Sequence, residues 1–242
     1  MITKSVVKDI QSLAGKKYRD QAGLFLAEGP KLVKELLRDC SHSIKAIYAL
    51  ESWIQQNQIV NSSIQVTLVT PAELERLSQL TTPHEVLAVV SKFPISPLQI
   101  GKGLTLVCCG IQDPGNFGTI LRTADWFGVR QLVCSPDTVD VYNPKVVQAT
   151  MGSIARLAVH YMDLDPWLNE QEVPIYAAIL NGQSVYEINR SQSGILLIGN
   201  EAKGVPASLL TKKVTGITIP KIGEAESLNA AVATGILLSW LS

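Results

Sequence analysis

A chain of 242 residues, 46% hydrophobic and 17% charged, is enough for one large folded domain or two ordinary ones and excludes a disordered polymer. Its 21 Lys plus Arg balance 21 Asp plus Glu, so net charge alone selects no class of partner. No apolar run reaches the roughly 18–20 residues of a bilayer span. Met1–Ser5 also lacks the apolar core of a secretion signal, so a soluble, cytoplasmic protein with no membrane partner is expected.

Val6, Val7, Ile10 and Leu13 stand at helical spacing and predict a helix over residues 5–14. The basic stretch Lys16-Lys17-Tyr18-Arg19 follows, then a short strand around Leu24–Leu26. Pro30 opens a helix whose apolar stripe is Leu32, Val33, Leu36 and Leu37. A strand at Ile44–Leu50, a polar helix, a strand at Val66–Val69, a short helix opened by Thr70-Pro71 and a strand at Val86–Val90 complete a small α/β/α unit. Two prolines then break the pattern, so residues 1–93 read as one domain, 94–101 as a linker and 102–242 as a second domain.

Leu104–Cys109 is apolar on both faces, the mark of a central parallel strand. A helix over 117–127, a strand at Gln131–Cys134, a helix from about Pro144, a strand at Ala155–His160 and a helix near 164–170 come next. Strands at Ile175–Leu180, Gly194–Ile198 and Gly216–Ile219 and a helix over 227–241 close the chain. The alternation predicts an α/β fold with a doubly wound parallel sheet, which binds ligands beyond the carboxyl ends of its strands.

Charge is uneven along this plan. Residues 1–45 hold nine Lys or Arg against five Asp or Glu, the modest footprint of a phosphate-contacting module or of a solvated helix face. The four cysteines (Cys40, Cys108, Cys109, Cys134) have neither CxxC nor zinc spacing and read as buried free thiols, and the three histidines are scattered. No metal site is expected. The glycines at 110, 115 and 118 do not fit G-x-G-x-x-G, and neither a P-loop nor a G-x-S-x-G elbow is present, so dinucleotide, nucleoside-triphosphate and hydrolase readings fail.

What remains is three strand-to-helix turns rich in Gly and Asn: Asp113–Arg122, Leu197–Gly204 and Ile217–Asn229. Singly, Asn116 and Ser227 read as helix caps, Arg122 as a surface cation and Glu201 as a turn residue. Together, on adjacent strand ends, they read as a small-molecule site.

These three turns resemble the motifs of the SpoU-type (TrmH-type) RNA ribose 2'-O-methyltransferases of the SPOUT superfamily. The first stands here as Asn116-x-Gly118-x-x-x-Arg122, the second as Leu197-Ile198-Gly199-Asn200-Glu201, and the third as Ile219-Pro220-x-x-Gly223 with Ser227-Leu228-Asn229. Asn143–Gly152 resembles a further family element. Phe25-Leu26-Ala27-Glu28-Gly29 lies in a region that looks like the family's substrate-binding domain, itself similar to a ribosomal-protein RNA-binding fold. Two departures stand out: Ala202 where the family more often has glycine, and Gln148 where arginine is frequent.

The resemblance implies a C-terminal SPOUT fold with a deep trefoil knot, a homodimer, S-adenosyl-L-methionine as methyl donor and structured RNA, ribosomal more than transfer RNA, as substrate. It places the cofactor against Leu180, Asn181, Gly199, Ile219 and Leu228, and the catalytic group at Arg122 with Asn116, Glu201, Ser227 and Asn229. Lys4, Lys8, Lys16, Lys17, Arg19, Lys31 and Lys34 are the candidate phosphate contacts. The competing readings are a base-directed methyltransferase of the same superfamily and a knotted RNA-binding or ribosome-assembly protein without methyl transfer.

Overall fold

The computed structural model describes residues 2–57, 59, 63–190 and 193–242. Contacts divide the chain into two units, Met1–Pro94 with Asp140–Ala155, and Ile95–Val139 with Arg156–Ser242.

The first unit opens with α1 (Lys4–Ser12), capped by the Thr3 hydroxyl, and α2 (Lys16–Ala22). Then come β1 (Leu24–Glu28), α3 (Pro30–Cys40), β2 (Ile44–Ala49), α4 (Glu51–Gln56), β3 (Gln65–Leu68), α5 (Pro71–Leu77) and β4 (Val86–Ser91). The strands form one mixed sheet in the order β1-β4-β2-β3, with β4 antiparallel to β1 and β2 and with β3 parallel to β2. Alternation along the strands gives the sheet two apolar faces. Leu26, Tyr48, Leu87 and Val89 pack with Val7, Ile10 and Leu13 of α1 and its continuation and with Leu74 and Leu77 of α5. Thr70 and Glu73 close a reciprocal capping box at the start of α5.

Arg19 departs from its expected role as a phosphate contact. It is 2% exposed, and its guanidinium donates to the Leu13 and Ala14 carbonyls at 2.9 and 2.7 Å. Its other nitrogen pairs with Asp140 at 2.7 Å. On the short α2 this position faces inward, where the fork of donors satisfies carbonyls left open after α1. Around it, Tyr142 stacks on Phe25 and accepts at its hydroxyl from the Phe93 N–H at 2.9 Å. Residues 140–155, read as part of the second domain, thus fold with the first unit.

The second unit contains β5 (Leu104–Cys109), α6 (Pro114–Trp126) and β6 (Gln131–Cys134). The excursion through the first unit holds α7 (Pro144–Thr150), and β7 (Ala158–Tyr161), α8 (Leu164–Asn169), β8 (Ile175–Ser184), β9 (Gly194–Gly199), β10 (Val214–Thr218) and α9 (Ala230–Leu241) follow. Six strands in the order β10-β8-β9-β5-β6-β7 pair in parallel throughout. All six residues of β5 are buried, as its apolar run predicts, because β9 and β6 flank it and Val107 and Cys109 pack with Leu164 and Leu168 in the core. Leu98 and Ile100, expected in the linker, pack on this unit's core beside Val107, Ile195 and Leu197.

Candidate active site

β5, β9 and β10 run parallel, so their carboxyl ends lie along one edge, and the three Gly/Asn-rich turns start there. Gly110, at φ +68°, follows β5. Its N–H donates to Ser135 Oγ at 2.8 Å, and its carbonyl accepts from Asn200 Nδ2 at 2.7 Å. A Cβ there would fall 2.8 Å from an Asp137 carboxylate oxygen, so only glycine lets the loops after β5, β6 and β9 close on one another. The turn after β9 is tighter. A Cβ on Gly199 would stand 2.1 Å from the Gly204 carbonyl carbon, a backbone clash that no rotamer relieves. Asn200 holds this turn by accepting from the Ala202 and Lys203 N–H groups at 2.9 and 3.1 Å. Ala202 has no left-handed backbone, so its departure from glycine costs the loop nothing.

The three turns are joined by side chains. Asp113 caps α6 by accepting from the Asn116 N–H at 2.7 Å. Asn116 Nδ2 donates to Glu201 Oε1 at 2.8 Å, and Asn116 Oδ1 accepts from Asn229 Nδ2 at 2.8 Å. Asn229 in turn caps α9, its Oδ1 accepting from the Ala231 and Val232 N–H groups at 2.9 and 3.3 Å. A carboxylate at one end accepts only and backbone N–H groups at the other donate only, so both amides have one satisfied orientation. The structure therefore brings together three of the five expected catalytic residues, Asn116, Glu201 and Asn229.

Arg122 and Ser227 stand apart from this chain of bonds. Six residues separate Arg122 from Asn116, which turns it about 120° around the helix. Its side chain is exposed, and among the described residues it has no hydrogen bond or ion pair. Ser227 is exposed two residues before the α9 cap, so Asn229 fills the capping role expected of serine.

Of the expected cofactor contacts, Gly199 forms the crowded turn and Ile219 follows β10 half-buried. The Leu180 carbonyl accepts from Thr218 Oγ1 at 3.0 Å, which ties the loop inside β8 to the end of β10. Leu180 and Leu228 are 68% and 48% exposed, large apolar side chains left open beside the edge, and Asn181 is exposed with them. Asp113, Ser135, Asp137 and Asn200 had no assigned part, although Asp before Pro at a helix start is a legible cap.

All four cysteines are free and buried, and burial pushes the Cys109 and Cys134 thiols well up, away from a reactive thiolate. Burial lowers His160, which stands outside these turns. Among the described residues no group of three or more His, Cys, Asp or Glu is placed to hold a metal, and no helix is long and apolar enough to cross a membrane.

A parallel α/β domain with three interlocked strand-end turns shares its architecture with a solved structure described as an RNA methyltransferase of the TrmH family from Porphyromonas gingivalis. Residues 103–239 match the SpoU rRNA Methylase family and residues 4–88 the MRM3-like substrate binding domain. The chain belongs to the SpoU rRNA methylase family. Over 97% of its length it is 34% identical to the 23S rRNA (guanosine(2553)-2'-O)-methyltransferase RlmP of Bacillus subtilis (strain 168), covering 95% of that protein. It is 26% identical, over 93% of its length and 85% of the relative's, to a 23S rRNA (uridine(2479)-2'-O)-methyltransferase of Streptomyces viridochromogenes. The AdoMet-bound rRNA methyltransferase of Sinorhizobium meliloti matches at TM-score 0.84 and 31% identity, covering 100% of this chain and 95% of that one.

Proposed function

We propose that this protein transfers a methyl group from S-adenosylmethionine to a ribose 2'-hydroxyl of structured ribosomal RNA, as a cytoplasmic homodimer with a knotted C-terminal domain. The observation that carries the reading is the Asn229–Asn116–Glu201 chain of hydrogen bonds, which locks three turns of separate strands into one edge.

The residues along that edge suit an adenosine group. Leu180 and Leu228 offer apolar surface to a purine face. Turns built on Gly199 and Ile219 present main-chain donors and acceptors to its polar rim, with no Cβ at residue 199 in the way. When bound, S-adenosylmethionine supplies an electrophilic methyl on a sulfonium. Arg122 supplies the electrostatics at the sugar. A guanidinium has five donors and no acceptor, so it clamps the neighbouring phosphate and stabilises the developing 2'-alkoxide, while the hydroxyl proton passes to solvent water as the O–CH3 bond forms and the neutral thioether leaves. Its lack of protein partners among the described residues leaves those donors available. Asn116, Ser227 and Asn229 orient the ribose, and Glu201 fixes the Asn116 amide.

Trp126 on α6 and Val232 on α9, 84% and 51% exposed, add apolar side chains to the outer surface of a packed helix pair. A second copy of the chain is its proposed cover. The target's 2'-hydroxyl restricts the substrate to RNA.

The test is transfer of labelled methyl from S-adenosylmethionine to total RNA, with mapping of the product. Label on a ribose 2'-oxygen of ribosomal RNA is expected. Arg122→Ala lowers turnover by about 10²-fold or more while S-adenosylmethionine binding, measured by calorimetry, persists. Label on a base, or cofactor binding without transfer to any RNA, refutes the reading in favour of a base-directed enzyme or a bare RNA binder.

A further inference from the structure

Helix α6 carries Asn116 in its first turn and Arg122 two turns on, so the hold on this helix decides where the guanidinium points. The last turn of α6 and the chain just before its cap are bonded to the points where residues 140–155 leave and rejoin the second unit. At the exit, the Val139 N–H donates to the Ile111 carbonyl at 2.9 Å, two residues before the Asp113 cap of α6. The Tyr161 hydroxyl donates to the Val139 carbonyl at 2.7 Å and pins the same point. At the return, Arg156 Nε donates to Asp125 Oδ2 at 2.8 Å, and Arg156 Nη2 lies 2.8 Å from the same oxygen.

Asp125 stands three residues after Arg122 and is its neighbour on the helix surface. The Asp125 and Arg156 side chains are only 14% and 26% exposed. A charge-assisted pair at that depth is stronger and more directional than a solvent-exposed one. Arg130 approaches the other carboxylate oxygen at only 3.7 Å and is 69% exposed, a longer and more solvated contact than that of Arg156.

We propose that Asp125 is a positioning residue for methyl transfer: through Arg156 it fixes the last turns of α6, and with them the direction of Arg122, to the return end of the 140–155 excursion. That excursion folds with the unit matched to the substrate-binding domain family, so RNA engagement by that unit reaches Arg122 along a continuous path of chain and charged bonds. The inference rests on the ribose-methyltransferase reading above.

The test uses the full chain, ribosomal RNA and S-adenosylmethionine. In Asp125→Asn, turnover at saturating substrates falls about 10- to 100-fold, while RNA and cofactor dissociation constants stay within about twofold of wild type. Asp125→Glu recovers most of the loss. Arg156→Gln, which leaves α6 unaltered, gives the same fall, and the double variant falls no further than either single one. A purely structural pair would instead lower cofactor affinity, melting temperature and turnover together and additively, and that result overturns the proposal.

A second readout does not depend on turnover. RNA binding slows amide hydrogen exchange over residues 122–129 in wild type and not in Asp125→Asn. An equal response in both proteins refutes the coupling. Absence of methyl transfer by wild type would refute the ribose-methyltransferase reading, which the exchange comparison does not address.

Discussion

Asn116 does two jobs through one amide, and either can be removed separately. Asn116→Asp keeps the acceptor facing Asn229 but sets a second carboxylate against Glu201, which accepts only. We expect turnover to fall about tenfold or more in that variant, with Glu201→Gln restoring part of it by returning a donor to the pair; steady-state methylation with both variants checks this. Glu28 gives a residue-scale prediction in pH. It is 6% exposed, accepts from the Ser78 hydroxyl and from the Gln79 N–H at 2.9 Å, and burial raises its pKa above the ordinary 4.5. A raised carboxyl holds its proton longer in the folded state, so its favourable contribution is complete below about pH 4.5 and is lost as pH rises through the raised value. Glu28→Gln keeps an acceptor for the Gln79 N–H and turns the other contact into an amide N–H donated to the Ser78 hydroxyl oxygen, without the charge. At pH 7 it should unfold at an equal or higher urea concentration than wild type, with a flatter decline of stability above pH 4.5. A urea midpoint clearly below wild type at pH 7 would show that the carboxylate charge is needed.

At the scale of elements, α9 separates capping from site-building. Asn229→Ser keeps a good N-cap, so stability should change by only a few tenths of a kcal/mol, but serine lacks the amide that donates to Asn116. Asn229→Ala removes both and costs about 1 kcal/mol. Methylation therefore falls in both variants while thermal stability falls only in the alanine one, a pattern that calorimetry and activity measured side by side will test. The sequence spoke clearly wherever one element decides its own form. Leu104–Cys109 is apolar at every position and buried at every position, and the order of Asn116, Glu201 and Asn229 after apolar strands foretells their meeting. It spoke less clearly where a distant partner decides. The last helix begins at Ala230 and not at 227, because Asn229 takes two backbone donors that Ser227 does not reach. β8 runs to Ser184, beyond the expected Leu180, because pairing with β10 skips from Ala177 to Gln183 and resumes. Nothing local to Asp140 or Tyr142 reveals that their partners are Arg19 and Phe25.

For the molecule as a whole, the question is how a chain with zero net charge grips a polyanion. The excess of cations lies in residues 1–45, and the structure divides the seven of them expected at phosphates into three kinds. Arg19 is buried with Asp140. Lys16 is held by Asp20 at 2.7 Å, and that exposed pair partly cancels its field. Lys4, Lys8, Lys17, Lys31 and Lys34 are exposed, and they are the cations we propose to displace counterions from phosphates. Replacing Lys4, Lys8 and Lys17 together with Gln should weaken RNA binding and lower the slope of log affinity against log salt by roughly 0.7–0.9 for each phosphate that is no longer neutralised. Lys16→Gln should change that slope much less. Arg19→Gln should behave differently, leaving Asp140 without its charged partner and destabilising the first unit by about 3–5 kcal/mol. Its loss of RNA binding would then follow unfolding and vanish at temperatures well below the transition. Titrations at several salt concentrations, paired with melting curves, distinguish the three kinds of cation. An unchanged slope in the triple variant would move the RNA-binding surface away from the amino-terminal helices.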